Sequence, residues 1–113
     1  MDEELRLRLL RLLIESPDLS QRELAQHLGL SLGKTNYCLR ALIDKGWVKV
    51  NNFRNSQNKL AYAYVLTPSG FHAKGSATAD FLRRKQVEFS DLEREIAELR
   101  REVSDAADQE AGR

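Results

Sequence analysis

Apolar positions recur at helical spacing through three successive segments, then nearly alternate, then return to helical spacing for the rest of the chain. Residues 2–16, DEELRLRLLRLLIES, predict a first helix with Leu5, Leu9, Leu12 and Leu13 as its stripe. Leu7, Leu10 and Ile14 widen that stripe, which suits either a core helix touched on two sides or one that also packs on a partner subunit. Asp2, Glu3 and Glu4 suit the positive end of a helix dipole, and Pro17 stops the helix at or before Ser16. Ser20 and Glu23 then form a capping box, and Leu19 can staple onto Leu24. This starts a helix over Gln21 to Leu28 with Leu24, Ala25 and Leu28 inward. Gly29 ends it, Leu30 plugs into the core, and Ser31 caps a third helix that closes at Gly46. Thr35, Leu39, Leu42 and Ile43 form the inward stripe of that third helix. Two helices joined by a short turn containing Gly are the helix-turn-helix signature.

The periodicity changes after Gly46. WVKVNNF (47–53) and LAYAYVL (60–66) are rich in β-branched and aromatic residues and predict two strands. The polar segment RNSQNK joins them, so a hairpin with its tip at Arg54 to Lys59 follows the third helix as a wing. Thr67 as cap and Pro68 at the first position start a last helix, weakened early by Gly70, Gly75 and Ser76, where a bend or close packing is expected. Beyond Ala79 a heptad emerges, with Leu82, Phe89, Ile96 and Val103 at one seam position and Lys85, Leu92 and Leu99 at the other. Such a helix outruns the small core, which favours self-association through Leu82, Phe89, Leu92, Ile96, Leu99 and Val103 over folding back on its own domain. After Val103 the small polar residues predict a frayed end. The expected fold is mainly α with a small β-hairpin (α+β): a winged helix-turn-helix over residues 1–76, then a long coiled-coil dimerisation helix over 77–113.

Charge sharpens this picture. The net charge of +1 names no partner. From Ser20 to Lys74, however, Arg22, Lys34, Arg40, Lys45, Lys49, Arg54, Lys59 and Lys74 face only Glu23 and Asp44, whereas the segment from Asp80 onward is acidic. A basic middle with an acidic tail places a nucleic-acid face on the middle segment. Gly33, Asn36, Tyr37 and Arg40 fall on the outer side of the third helix, where an amide, a phenol and a guanidinium can bond base edges or phosphates in a major groove. Arg40 suits guanine and Asn36 adenine, while Tyr37 can meet a thymine methyl or a phosphate. Arg54 and Lys59 at the wing would contact phosphates or the minor groove, a reading preferred to an ordinary solvated turn because both charges are basic and follow the recognition helix.

Other chemistry is not expected. His27 and His72 lie far apart with no ligand-spaced partner, so no metal site is expected, and no phosphate-cradling or dinucleotide motif occurs. No cofactor and no catalytic constellation are expected. The single cysteine, Cys38, reads as a buried inert thiol in a reducing compartment, and no apolar run reaches membrane-spanning length, so the cytoplasm is the default location.

The segment LSQRELAQHLGLSLGKTNYCLRALIDKGWVKV, followed by a hairpin and LTPSG, resembles the winged helix of MarR-type bacterial transcriptional regulators. It also resembles a short subgroup linked to exopolysaccharide (EPS) synthesis loci, whose shared motifs stand here at Ser20 to Ala25, Leu32 to Lys49, Asn55 to Gly70 and Phe81 to Val103. The resemblance implies a homodimer on a pseudo-palindromic operator, with Ser31, Leu32, Gly33, Lys34, Asn36, Tyr37 and Arg40 facing double-stranded DNA and Arg54 and Lys59 in the wing. Larger members carry a second C-terminal helix and often hold a small ligand between the dimerisation helices and the DNA-binding lobe. No counterpart of that helix is expected in this sequence, so dimerisation is expected to rest on one long helix and no small-molecule effector is assigned. The leading expectation is a dimeric, sequence-specific regulator of transcription, with control of exopolysaccharide genes resting on the resemblance alone. The alternative is a winged-helix protein-interaction module assembled through its coiled coil. RNA binding ranks last, because RNA's deep major groove excludes such a helix.

Overall fold

The computed structural model describes residues 1–54, 57 and 60–112, with only the backbone described at 53, 54, 60 and 61. The element order is α1 (Glu3–Glu15), α2 (Gln21–Leu28), α3 (Leu32–Asp44), β1 (Val48–Arg54), β2 (Leu60–Leu66) and α4 (Pro68–Ala111). The chain forms two compact units, Met1–Thr78 and Ala79–Arg113.

Local signals set the helix limits. Asp2 caps α1 by accepting from the Leu5 N–H at 2.7 Å. Ser20 accepts from the Glu23 N–H while Glu23 accepts from the Ser20 N–H, the reciprocal capping box of α2. At its other end Gly29 takes φ 69°, so that Leu30 N–H reaches the Ala25 carbonyl and Gly29 N–H that of Gln26. The same closure recurs after α3, where Gly46 at φ 77° lets Trp47 N–H reach Leu42 and Gly46 N–H reach Ile43. Both are Schellman endings, which the left-handed region makes cheapest for glycine.

The first unit closes around Leu9, Leu10, Leu13, Leu24, Leu28, Cys38, Leu39, Leu42, Val48, Tyr64 and Leu66. On α1 the burial differs in detail from the simple stripe. Leu7 and Leu10 are as deeply buried as Leu9 and Leu13, whereas Leu5 and Leu12 are only partly covered and Ile14 is exposed. The reason is that α1 packs against both α2 and β2, so two of its sides are covered within one chain.

The two strands pair antiparallel with Val48 opposite Leu66, Val50 opposite Tyr64 and Asn52 opposite Tyr62. These pairs share one face of the hairpin. Val48, Tyr64 and Leu66 are buried at its base, while Val50 and Tyr62, nearer the tip, are exposed. The hairpin therefore projects past the core as a wing.

The start of α4 is pinned to the α3–β1 turn. Thr67 Oγ1 accepts from the Gly70 N–H and donates to the Gly46 carbonyl, and Thr67 N–H donates to the Trp47 carbonyl. Gly70 is buried there, and a Cβ on it would come within 2.9 Å of the Trp47 carbonyl carbon and nearer still to its oxygen. Close packing is thus the outcome at Gly70. In the second unit, α4 carries surface pairs Arg83–Asp80, Lys85–Glu88 and Arg94–Asp91. Helix persists beyond Val103 to Ala111, through Ala106, Ala107, Gln109 and Glu110, which are all good helix formers. No helix among the described residues is long and apolar enough to cross a membrane.

Candidate nucleic-acid interface

The α2–turn–α3 unit holds α3 by one side only. Thr35, Cys38, Leu39 and Leu42 are buried against the core, and the buried Thr35 hydroxyl is satisfied by donating to the Ser31 carbonyl at 2.9 Å. The opposite side stays open. Leu32, Gly33, Lys34, Tyr37 and Arg40 are exposed, Tyr37 at 62% of its surface. A Cβ placed at Gly33 would meet nothing within 4 Å, so the space in front of the helix start is free.

Each residue expected from the sequence has a defined place. Ser31 caps α3 by accepting from the Lys34 N–H at 3.1 Å, which commits its hydroxyl to the helix. The Lys34 ammonium stands 5.4 Å from the Tyr37 ring centroid, a cation–π distance that groups a charge and a phenol on one turn. Neither Lys34 nor Arg40 is ion-paired among the described residues. Both cations are therefore left without a carboxylate partner there. For Arg54 only the backbone is described, at the last rung of the hairpin opposite Leu60, and Lys59 lies outside the described residues.

Asn36 is different. It is half-buried, and its Nδ2 donates to Gln21 Oε1 at 3.1 Å; Gln21 Nε2 in turn donates to the Tyr64 hydroxyl at 2.9 Å. Three elements, α3, α2 and β2, thus meet in one polar chain beside the open face. Sequence reasoning did not single out Gln21 or Tyr64. One signal was available for Tyr64: it occupies an inward strand position, and a buried tyrosine hydroxyl needs a partner. Cys38, fully buried on the inner side of α3, carries a free thiol.

A second exposed surface lies within the Ala79–Arg113 unit. Leu82, Phe89, Leu92, Ile96, Leu99 and Val103 expose between 41% and 71% of their surface along one helix. The polar seam residue Lys85 reaches Glu88 at 3.1 Å and lies 5.1 Å from the Phe81 ring centroid. The apolar residues form a row that repeats every three to four positions along α4.

Residues 2–49 match a family described as winged helix-turn-helix DNA-binding. The structure is similar to Staphylococcus aureus MarR in complex with salicylate and kanamycin, at 17% identity and TM-score 0.59 over 76% of this chain and 56% of that one. It is also similar to the PcaV transcriptional regulator from Streptomyces coelicolor, at 23% identity and TM-score 0.63 over 92% of this chain and 78% of that one. The S. aureus MepR–DNA complex gives 22% identity and TM-score 0.60, over 75% and 60%. The chain thus spans little more than half the length of the MarR chain it matches. What these likenesses share with it is the winged helix-turn-helix fold. No match was found among curated protein sequences.

Proposed function

We propose that this chain is a MarR-type transcriptional regulator that binds double-stranded DNA as a homodimer in the cytoplasm, and that it belongs to the short subgroup acting on exopolysaccharide synthesis genes. The observation that carries the reading is the open face of α3, which leaves Lys34, Tyr37 and Arg40 uncovered on a helix otherwise locked into the core. A protein with a MarR-like fold, MepR, has been solved with DNA, which supports the same use of the fold here.

In this reading α3 enters the major groove. Arg40 reads guanine and Asn36 adenine, and Tyr37 meets a thymine methyl or a phosphate. Lys34 and the wing residues Arg54 and Lys59 bind phosphates, so affinity falls steeply with salt. The bare seam of α4 in the second unit is covered by a second copy, which sets two recognition helices on the two halves of a pseudo-palindrome.

The test is a gel shift on the duplex upstream of the chain's own gene and on duplexes upstream of exopolysaccharide synthesis genes, against scrambled duplexes at equal salt. A retarded band that resists scrambled competitor is expected. Arg40→Ala should weaken that band by about 1–3 kcal/mol and relax the sequence preference. Absence of binding at low salt on every duplex would refute the DNA reading in favour of a protein-interaction module.

A further inference from the structure

The polar chain Tyr64–Gln21–Asn36 carries an inference that rests on the DNA-binding reading and deepens it. An asparagine on a helix face swings freely about two torsions and can turn either its oxygen or its nitrogen outward. Here a hydrogen bond limits that freedom. Asn36 Nδ2 is held by Gln21 Oε1 at 3.1 Å, and Gln21 is held by the Tyr64 hydroxyl at 2.9 Å. Tyr64 is itself only 9% exposed, and its ring belongs to the apolar core. The relay is thus anchored in the packed interior and ends at the open face of α3. One Nδ2 hydrogen of Asn36 is committed. Among the described residues the other Nδ2 hydrogen and the Oδ1 acceptor remain, which is the donor–acceptor pair that adenine N7 and N6–H require in a major groove.

We propose that Gln21, fixed by Tyr64, is a positioning residue that holds the Asn36 side chain for adenine readout. Gln21 touches no base in this scheme. Its effect reaches DNA only through Asn36, so its loss shows as a change in sequence preference at a single position rather than as a general loss of binding. A pre-held amide also avoids the side-chain ordering cost at the moment of contact.

The experiment is selection of binding sites from a randomised duplex pool at one salt concentration, using the full chain and the variants Asn36→Ala, Gln21→Ala, Gln21→Glu and Tyr64→Phe. The wild type should return a motif. Asn36→Ala should lose one A·T preference in each half-site by about tenfold, the size of one bidentate base contact. Gln21→Ala should lose preference at that same position, and Tyr64→Phe should lose part of it. Gln21→Glu should restore it, because a carboxylate accepts from Asn36 Nδ2 while the Tyr64 hydroxyl turns to donate. The added negative charge would lower affinity evenly over all sequences without changing the motif. Gln21→Ala returning the wild-type motif undiminished would overturn the relay and leave the DNA reading standing. The relay is equally overturned if Gln21→Ala weakens every position alike, as a purely structural residue would. A wild type that returns no motif would overturn the sequence-reading function itself, and the relay with it.

Discussion

Gly70 and Gly75 lie about 1.4 turns apart on α4, and the same substitution should have opposite signs at the two. Alanine in place of helical glycine stabilises by about 1 kcal/mol where nothing obstructs it. At Gly75 a Cβ meets nothing within 4 Å, so Gly75→Ala should gain up to about 1 kcal/mol. At Gly70 the added carbon runs into the Trp47 carbonyl, which is backbone and cannot swing aside. That carbonyl accepts from Thr67 N–H at 3.0 Å, and Trp47 N–H is fixed to the Leu42 carbonyl at 3.0 Å. Relief must come from moving the start of α4 off the α3–β1 turn, which also strains the Thr67 bonds to Gly46 and Gly70. Overpacking of this kind costs about 1–3 kcal/mol and occasionally more, and rigid neighbours on both sides favour the upper end. After the propensity gain is subtracted, Gly70→Ala should destabilise by about 2 kcal/mol, or roughly 8–16 °C in Tm for a unit of this size. The assay is thermal and urea unfolding of both variants and the wild type at one protein concentration, since the proposed self-association would make Tm concentration-dependent. A Gly70→Ala protein as stable as wild type would refute this reasoning, and would mean that α4 can lift away from Trp47 at little cost.

Other expectations follow from named contacts. Ser31→Ala removes the hydroxyl that caps α3, and should cost about 1 kcal/mol in urea unfolding, whereas Ser31→Asp should retain most of the stability. The double variant Leu92→Lys, Ile96→Lys places two charges in the exposed apolar row and should convert the proposed dimer to monomers in sedimentation equilibrium; a wild type that is already monomeric, or a variant of unchanged dimer mass, would refute dimerisation through this row. Raising salt from about 50 to about 200 mM should weaken duplex binding by orders of magnitude, and a flat titration by fluorescence anisotropy would exclude a phosphate-dominated interface.

The parts of this protein readable without a structure are those whose physics is local. The Ser20–Glu23 box, the glycines at 29 and 46, the Ser31 cap and the Thr67–Pro68 start each act within a few residues, so α2, α3, β2 and the start of α4 could be placed from their letters alone. The two faces of α3 were largely legible, because helical period separates Thr35, Leu39 and Leu42, which are buried, from Gly33, Tyr37 and Arg40, which are exposed; Ile43, expected inward, and Asn36, expected outward, are each half-buried. What required the tertiary structure depends on residues far apart in the chain. Leu7 and Leu10 are as buried as Leu9 because α2 and β2 both reach α1. Gly70 has no room for a Cβ because the Trp47 carbonyl sits against it, and its own backbone angles do not demand glycine. Asn36, read from the sequence as an amide on the outer side of α3, is tied to Gln21 and through it to Tyr64, 43 positions from Gln21 along the chain. Periodicity and capping report what a segment does with its own neighbours. Only packing decides which distant polar groups come within hydrogen-bonding distance of each other, and those are the groups that set how the open face of α3 is held.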